Sequence, residues 1–405
     1  MSLVQTAIDD HDSSATEPKL AAQVVFLTNF IPPYRLPLYM ELANRVRKLT
    51  ILLSTPMESN RTWPVDWGNL DVRLQRTVTV RRPWRHPAGF SDTLHVHVPA
   101  DTLPQLASLR PDVIIAAELG FRSLFSAIYA RHWRRTPLVL WLTLSDHTEQ
   151  GRGRLRHALR RWLFRRADAL IVNGAGGSRY VEQFGYDPRR VFPISQTVPS
   201  GLFERLPLER PAAAARRLLF VGRLVELKGL APFIDALAAW AAAHPHETVE
   251  FDIAGSGPLG DQLKRLPTPP NLAIHFLGEC DYSALAEVYA KCGILTLPTL
   301  SDEWGLVVNE AMSAGLPVLG SVYSQAVEEL CREGENGWTF RPDSRAQTIE
   351  AIDRALTTPI DRLNAMRARA RATVEHLTPA RAVDKLLRVL EIVAANHREN
   401  THDRY

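Results

Sequence analysis

The chain has 405 residues, 45% of them hydrophobic and 23% charged, and a formal net charge of +4. This length exceeds one ordinary hydrophobic core and predicts two domains of roughly 150–200 residues each, with the composition of a soluble globular protein. The three cysteines have no CxxC or metal-ligand spacing, which argues against a disulfide framework and favours a reducing compartment; they are Cys280, Cys292 and Cys331.

Residues 1–18 are polar and lack the basic and apolar regions of a secretory signal, so we expect a disordered tail there. No run reaches the roughly 18 apolar residues that span a bilayer, which predicts a cytoplasmic protein that is soluble or lies on a membrane surface. The charge is uneven, because residues 1–200 hold 26 Lys and Arg against 17 Asp and Glu, whereas residues 201–405 hold 22 against 27. The two halves therefore present different electrostatic fields.

Apolar runs of strand length alternate with longer amphipathic segments along the whole chain. Near-continuous Val, Ile and Leu runs indicate strands that are buried on both faces, hence parallel sheets of the α/β class. In chain order, the predicted strands of the first half are 24–30, 50–54, 113–117, 138–143 and 169–174. A Pro- and Ala-rich stretch at 205–216 precedes a second series at 218–222, 249–255, 272–278, 294–298 and 317–321, and an amphipathic helix follows at about 378–396.

This alternation predicts two doubly wound, Rossmann-like domains, at 19–205 and 206–377. A terminal helix at 378–397 is expected to pack back on the first domain. In open α/β sheets, ligands bind outside the carboxyl ends of the strands. Two such sheets facing one another would share a central cleft, so the loops after the strands are where chemistry is expected.

Two cations follow the predicted strand 218–222, from which Gly222 permits a tight exit. Arg223 offers a planar fork for phosphate oxygens and Lys228 a mobile point charge, a pair that suits a diphosphate. The alternative is that both are solvated surface charges.

The next loop turns at Gly255, Ser256 and Gly257, and Pro258 is predicted to open a helix. Glycines let a ligand approach the backbone, and a helix N-terminus favours anions. The same pattern also fits a tight strand-to-helix connection without a ligand.

The segment 298–321 is the most informative. A loop with Asp302 and Glu303 leads into a helix predicted from about Gly305 to Ala314. Free N–H groups at its start would stabilise phosphate charge. Glu310 lies inside this helix in an apolar context, where a carboxylate needs a partner: a ligand hydroxyl, a backbone donor or an arginine.

From about 217 to 345 the sequence resembles the retaining GT-B glycosyltransferases of family 4. Their pattern is an Arg…Lys pair after the first strand of the C-terminal domain, a Gly-rich turn, and two acidic residues separated by seven. The last element occurs in a sequence like EGFGLVVLEAMACGLPVV, and this chain has DEWGLVVNEAMSAGLPVL. The first half resembles the family more loosely, through NFIPPYRLPLYMELA, PDVIIAAELG and ALIVNGAGGSRYVEQFG.

Aligning the family's glycine with Gly305 places the two acids at Asp302 and Glu310. The resemblance then implies that Arg223 and Lys228 clamp the donor diphosphate. It implies that Asp302 bonds hydroxyls of the transferred sugar and that Glu310 holds the ribose. The other implied donor-binding residues are Gly222, Ser256, Gly257, Leu277, Gly305, Leu306 and Val307.

The resemblance also implies the reaction: a retaining, metal-independent transfer of a sugar, with a hexose expected, and without a cofactor. The leaving phosphate would help to deprotonate the acceptor hydroxyl on the front face, while fixed cations stabilise the departing diphosphate. No DxD-like pair, typical of metal-dependent transferases, stands in a convincing loop. The expected donor is a nucleotide-diphosphate sugar, and the expected acceptor is a glycan or a polyprenyl-diphosphate-linked glycan in polysaccharide biosynthesis.

The first half adds two features with two interpretations each. His147 follows the predicted strand 138–143 and either contacts the sugar or acceptor as a catalytic residue or is simply exposed. The segment 152–166 carries seven arginines interleaved with apolar residues at near-helical spacing. It either lies on anionic lipid or packs its apolar stripe on its own sheet and leaves the arginines in solvent. Nucleic-acid binding is not expected, because no recognised module is present.

Two rival functions remain open. A GT-B sugar-nucleotide epimerase would turn over the donor without an acceptor-dependent product. A non-catalytic nucleotide-sugar-binding subunit would not need Arg223, Lys228, Asp302 and Glu310, whose presence favours an enzyme. The sugar, the nucleotide base, the acceptor, the linkage and the oligomeric state are not determined by these residue types.

Overall fold

A computed structural model describes residues 20–58, 65–133, 135–199 and 201–402. The predicted tail at 1–18 lies outside the described residues. Within them, the chain forms two compact units: an N-terminal unit of residues 20–84, 93–197 and 377–402, and a C-terminal unit of Arg85–Asp92 and Val198–His376.

The first half of the chain alternates strands and helices, with two short 3-10 helices. Its elements are β1 (Leu20–Thr28), the 3-10 helix Pro33–Arg35, α1 (Leu36–Arg45), β2 (Val46–Leu53), β3 (Asp71–Leu74), β4 (Thr77–Arg85), β5 (Ser91–Pro99), α2 (Thr102–Leu109), β6 (Val113–Ala117), α3 (Phe121–His132), β7 (Leu138–Leu142), α4 (Arg154–Phe164), β8 (Ala169–Val172), α5 (Ala175–Glu182), the 3-10 helix Pro188–Arg190 and β9 (Val191–Pro193).

The second half repeats the alternation and ends in a long helix. Its elements are α6 (Ala212–Ala215), β10 (Leu218–Val221), the 3-10 helix Glu226–Lys228, α7 (Leu230–Ala243), β11 (Val249–Ala254), α8 (Gly260–Lys264), β12 (Leu272–Gly278), α9 (Tyr282–Lys291), β13 (Ile294–Leu297), α10 (Leu306–Ser313), β14 (Val318–Ser321), α11 (Gln325–Leu330), β15 (Gly337–Phe340), α12 (Arg345–Leu356), α13 (Ile360–Val374) and α14 (Pro379–His402).

Each unit is built on one parallel sheet. Within the described residues, the N-terminal sheet has the strand order β3-β2-β1-β6-β7-β8-β9, and the C-terminal sheet has the order β12-β11-β10-β13-β14-β15. The paired strands of both sheets run parallel. The prediction of two parallel-sheet α/β domains is therefore confirmed.

Strand β1 shows why the apolar runs predicted buried strands. Val24 and Phe26 pack into a core on one face of the sheet, whereas Val25 and Leu27 pack into a second core on the other face. Helix α14 covers the first of these faces with the apolar stripe Val383, Leu386, Leu387, Leu390 and Val393 and also packs on α1. Residues at both the odd and the even positions of the strand must therefore be apolar. The alternation of polar and apolar residues that marks a half-exposed strand is absent here.

Five strands were not predicted: β3, β4, β5, β9 and β15. Strand β4 explains the largest omission, because all but two of its nine residues are exposed and it pairs with β5 in a separate two-stranded sheet. The helix predicted to open at Pro258 begins instead at Gly260, since Pro258 and Leu259 form a turn. Among the described residues, no helix is both long and apolar enough to cross a bilayer.

Candidate functional site

The C-terminal sheet reverses its winding direction between β10 and β13. From β10 the chain adds β11 and β12 on one side, and it then returns to place β13 on the other side of β10. Ligands of open α/β sheets bind in the crevice outside the carboxyl ends of the strands at such a switch point. The loop after β10 carries Arg223 and Lys228, and the loop after β13 carries Asp302. The topology therefore brings three of the predicted residues to the same edge of the sheet.

Lys228 and Asp302 meet directly across this switch point. The Lys228 Nζ lies 2.5 Å from Asp302 Oδ2, and the two side chains are only 21% and 16% exposed. The sequence predicts that both contact the donor, as the diphosphate cation and the sugar-binding carboxylate. In the structure they form a partly buried ion pair with each other.

The backbone holds the two loops together beneath this ion pair. The Leu300 N–H donates to Leu227 O over 2.8 Å, and the Thr299 hydroxyl donates to the same carbonyl over 3.0 Å. Gly229 follows Lys228 with a φ of 65°, and a Cβ there would lie 2.1 Å from Pro298 O. Only glycine allows this approach, so the position of Lys228 depends on Gly229.

The glycine-rich turns join the ends of three neighbouring strands. The Gly222 N–H donates to Ala254 O over 2.9 Å, and the Gly255 N–H donates to Gly278 O over 2.6 Å. A Cβ on Gly257 would lie 2.5 Å from Leu224 O. These glycines therefore let the backbone of one loop pack on the backbone of the next. This agrees with the alternative in which the turn is a tight strand-to-helix connection, and it fixes the backbone next to Arg223.

The remaining predicted donor-binding residues also lie at this edge. The Ser256 hydroxyl donates to Glu279 Oε1 over 2.5 Å, and Leu277 is 42% exposed. Gly305, with a φ of 99°, caps α10, whose first residues are Leu306 and Val307.

Glu310 is almost completely buried in α10. Its Oε2 accepts a hydrogen bond of 3.0 Å from the hydroxyl of Tyr289 on α9. Burial raises the pKa of Glu310 to about 7, and the Tyr289 hydrogen bond opposes that rise. The sequence predicts a ligand hydroxyl, a backbone donor or an arginine as the partner of this carboxylate, whereas the structure has Tyr289. Tyr289 was not predictable, because no sequence pattern shows which residue of another helix faces position 310.

His147 lies in the N-terminal unit, in the turn after β7, and is partly exposed. The residues Lys228, Asp302 and Glu310 lie in the C-terminal unit. The catalytic role suggested for His147 thus remains a prediction.

A second polar cluster, which was not predicted, follows the strands of the N-terminal sheet. Glu118 comes directly after β6 with a left-handed φ of 64°. Its carboxylate accepts hydrogen bonds from the Asn29 amide, at 2.8 and 2.7 Å, and from Arg122, at 2.9 Å. Arg122 is buried and also donates to Ser54 Oγ over 2.6 Å. The sequence signal was an acidic residue directly after a buried strand, in PDVIIAAELG.

Helix α4 packs its apolar residues on its own unit, which is the second interpretation of the arginine-rich segment, and contact with lipid stays a prediction. Leu163 and Phe164 pack into the core of their own unit. The expectation that all the arginines would be solvated is wrong for Arg160, which is 2% exposed and bonds Glu149 and the Tyr180 hydroxyl. A carboxylate and a phenol offset the cost of burying this guanidinium. Among the described residues, no group of three or more His, Cys, Asp or Glu side chains is placed to hold a metal ion.

Two family models match the chain over both units. One, described as a glycosyl transferase 4-like domain, matches residues 31–197, and the other, described as glycosyl transferases group 1, matches residues 215–358. The chain belongs to the group 1 glycosyltransferases. The second match contains Arg223, Lys228, Asp302 and Glu310, the residues that the resemblance had singled out.

Curated relatives of this chain are similar over part of their length. A glycogen synthase of Mycobacterium tuberculosis is 29% identical over 283 residues, which are 67% of this chain and 65% of that protein. D-inositol 3-phosphate glycosyltransferase 1 of Catenulispora acidiphila is 30% identical over 247 residues, 55% of this chain and 57% of that protein. This chain thus spans less than two thirds of the length of these relatives.

Solved structures confirm that this chain has the GT-B fold. Anabaena HepE in complex with UDP and glucose matches with a TM-score of 0.65 and 16% identity, over 91% of this chain and 99% of that chain. The lipopolysaccharide outer core galactosyltransferase WaaB matches with a TM-score of 0.64 and 13% identity, over 91% and 99% of the two chains.

Proposed function

We propose that the protein is a retaining, metal-independent glycosyltransferase that moves a sugar from a nucleotide-diphosphate donor to a glycan or polyprenyl-diphosphate-linked acceptor. The Lys228–Asp302 pair at the switch point carries this proposal, because it joins a cation and a carboxylate where an α/β sheet binds ligands. The UDP bound by HepE and the names of the curated relatives support a nucleotide-sugar donor. We place the reaction in polysaccharide biosynthesis in the cytoplasm.

The donor would replace the ion pair with contacts of its own to Lys228 and to Asp302. A diphosphate offers Lys228 a more highly charged partner than one carboxylate, and the freed Asp302 can accept hydrogen bonds from sugar hydroxyls. Arg223, on the same loop, adds a second cation. The N-terminus of α10, beginning at Leu306, adds a partial positive charge.

These groups would stabilise the departing nucleoside diphosphate. The bond between the anomeric carbon and the diphosphate oxygen breaks, and negative charge develops on that oxygen. The acceptor hydroxyl attacks the anomeric carbon from the face that the diphosphate leaves and forms the new glycosidic bond. The proton of this hydroxyl passes to the leaving diphosphate. Cations fixed before the reaction stabilise this charge without reorganisation, so the proposed mechanism requires no metal ion.

A donor screen tests the proposal. Calorimetry with UDP-, GDP-, ADP- and dTDP-sugars in excess EDTA should show that one nucleotide class binds the wild-type protein. Adding an acceptor should then give an acceptor-dependent product, which distinguishes a transferase from an epimerase. Donor binding that requires a divalent ion would contradict metal independence, and turnover of the donor into a second nucleotide sugar would favour the epimerase.

We also propose that one face of α4 contacts anionic lipid, which would suit a lipid-linked acceptor. Arg154, Arg161 and Arg165 are exposed and spaced by seven and four residues, so they lie on one side of the helix. Leu155 beside them is 87% exposed. Arg160 takes no part, because it is buried.

Changing these three arginines to glutamine should weaken co-sedimentation with vesicles of phosphatidylglycerol and phosphatidylcholine. At about 1 kcal/mol for each basic residue near the surface, the expected loss is on the order of 10²-fold. Glutamine at Arg47, Arg73 and Arg76, three exposed arginines of the same unit, is the control of equal charge. Equal loss in both variants would show general charge attraction and not a contact through α4.

A further inference from the structure

A hydrogen bond fixes one of the two carboxylate oxygens of Glu310. In the described part of the chain, the Tyr289 hydroxyl is the only hydrogen-bond partner of its side chain, and it binds Oε2. Glu310 is nevertheless only 8% exposed. Its Oε1 accepts no hydrogen bond from the described residues and is not one of the fully buried polar atoms, so this oxygen is accessible to a ligand.

Tyr289 is itself held in place from two directions. It is fully buried, and its ring meets that of Phe203 edge-on, with the centroids 5.1 Å apart. Arg210 links the ends of the two helices that carry the pair: its Nε donates to Cys292 O after α9 and its Nη2 to Ala314 O after α10, both over 3.0 Å. One buried guanidinium thus fixes α9 relative to α10, and the Tyr289 hydroxyl has a defined position against Glu310.

We infer that Tyr289 is a positioning residue for nucleotide binding, which holds one oxygen of Glu310 so that the other meets the ribose hydroxyls of the donor. This inference rests on the proposed function, because it assigns a task to Tyr289 within the same donor site. Tyr289 would not touch the nucleotide. It would act through the orientation and the charge of the Glu310 carboxylate.

The charge state of Glu310 gives this role a distinctive pH dependence. An ionised carboxylate accepts hydrogen bonds from both ribose hydroxyls, whereas the protonated form offers fewer acceptors. Since burial raises the pKa of Glu310 to about 7, nucleotide affinity should fall as the pH drops through 7. The Tyr289 hydroxyl favours the ionised form, so its removal should raise this pKa further and move the loss of affinity to higher pH.

Other charged or titratable groups on the elements packed around α10 must be considered in this pH dependence. Among them, Arg210, Arg367 and Arg371 each donate to backbone carbonyls. Tyr282 lies close enough for the Glu310 charge to raise its pKa, and burial raises it more. These elements carry Tyr282, Glu287, Tyr289 and Lys291 on α9 with Cys292 after it, Glu328 and Glu329 on α11, Asp361, Arg362, Arg367, Arg369 and Arg371 on α13, and Arg210 before β10. Burial raises the pKa of Tyr282, Tyr289 and Cys292, so these three groups stay protonated over the pH range of the test below.

The test compares Tyr289→Phe with Tyr282→Phe. Both lose a phenolic hydroxyl beside the same Phe203 ring, but only Tyr289 bonds Glu310. Calorimetry with UDP and GDP, and with their 2′,3′-dideoxy analogues, is repeated from pH 6 to pH 9. Tyr289→Phe should weaken binding of the ribonucleotide roughly tenfold at pH 7.5, as expected for loss of a hydrogen bond to a charged group. It should leave the dideoxy nucleotide unaffected and shift the pH midpoint upward, whereas Tyr282→Phe should match the wild type.

Equal weakening of ribose and dideoxy nucleotides, or an unchanged pH midpoint, would overturn the inference and leave Tyr289 a structural residue. If Tyr289→Phe does not fold, Glu310→Gln provides the second test, because it should abolish the pH dependence and weaken the preference for ribose over the dideoxy sugar. Retention of both by Glu310→Gln would equally overturn the inference. Failure of the wild-type protein to bind any nucleoside diphosphate would instead remove the proposed function itself.

Discussion

Changing Lys228 to alanine should lower kcat/KM for sugar transfer by roughly 10²–10³-fold, the range found when one electrostatic stabiliser of a transition state is removed. The ammonium lies at the switch point of the C-terminal sheet and is paired with Asp302 at 2.5 Å. Its loss removes a cation from the departing diphosphate. It also leaves a carboxylate that is 16% exposed without its partner, which repels the anionic donor.

The control for this variant is Lys291→Ala. Lys291 belongs to the same unit and pairs with Glu287 at 3.7 Å, but its side chain is 70% exposed. Exposed pairs of this kind contribute little, so its kinetics should match those of the wild type. The double variant Lys228→Ala with Asp302→Asn should regain donor binding relative to Lys228→Ala alone, because the uncompensated charge is gone. Transfer at wild-type rates by Lys228→Ala would exclude Lys228 from the site.

The second large effect is expected at Gly229. An alanine there adds a Cβ 2.1 Å from Pro298 O and must adopt a φ of 65°. The left-handed conformation alone costs about 1–2 kcal/mol, and the clash with backbone forces the loops after β10 and β13 apart. We expect a loss of at least about 3 kcal/mol in the free energy of unfolding, together with loss of transfer, since Lys228 moves away from Asp302.

Gly278→Ala separates the two causes. Gly278 lies in the same unit with a φ of 74°, but a Cβ there would meet nothing within 4 Å. Urea unfolding of Gly278→Ala should therefore show only the conformational cost of about 1–2 kcal/mol. A similar loss in both variants would mean that the contact with Pro298 O does not constrain the loop.

The sequence predicted ten strands of the two parallel sheets because most of these strands are buried on both faces, but it did not predict the edge strands β3, β9 and β15. Residues 24–27 are apolar at every position, because helices cover both faces of the sheet. The run therefore lacks the alternation of polar and apolar residues of a half-exposed strand. Strand β4 was not predictable in the same way, because its residues are mostly exposed and stand outside the two parallel sheets. A strand that contributes little to a core leaves no hydrophobic pattern.

The sequence predicted which loops form the candidate site, but it predicted few of the side-chain contacts within it. Placing Lys228 and Asp302 after strands located them at one edge of a sheet. Their direct pairing depends on β10 and β13 being neighbours, which follows from the strand order and not from local pattern. For the same reason, the sequence does not predict the hydrogen bond from Tyr289 to Glu310 or the ion pair between the buried Arg160 and Glu149. In each case, the partner comes from an element whose position is set by tertiary packing.

The anomeric configuration of the product tests the central claim most directly. An α-linked nucleotide sugar of the class selected in the donor screen is incubated with the protein and an acceptor in excess EDTA, and the new linkage is examined by NMR. A retaining, metal-independent transferase should give the α-glycoside, with nucleoside diphosphate released in equal amount. A β-linked product would contradict retention, and a product formed only after a divalent ion is added would contradict metal independence.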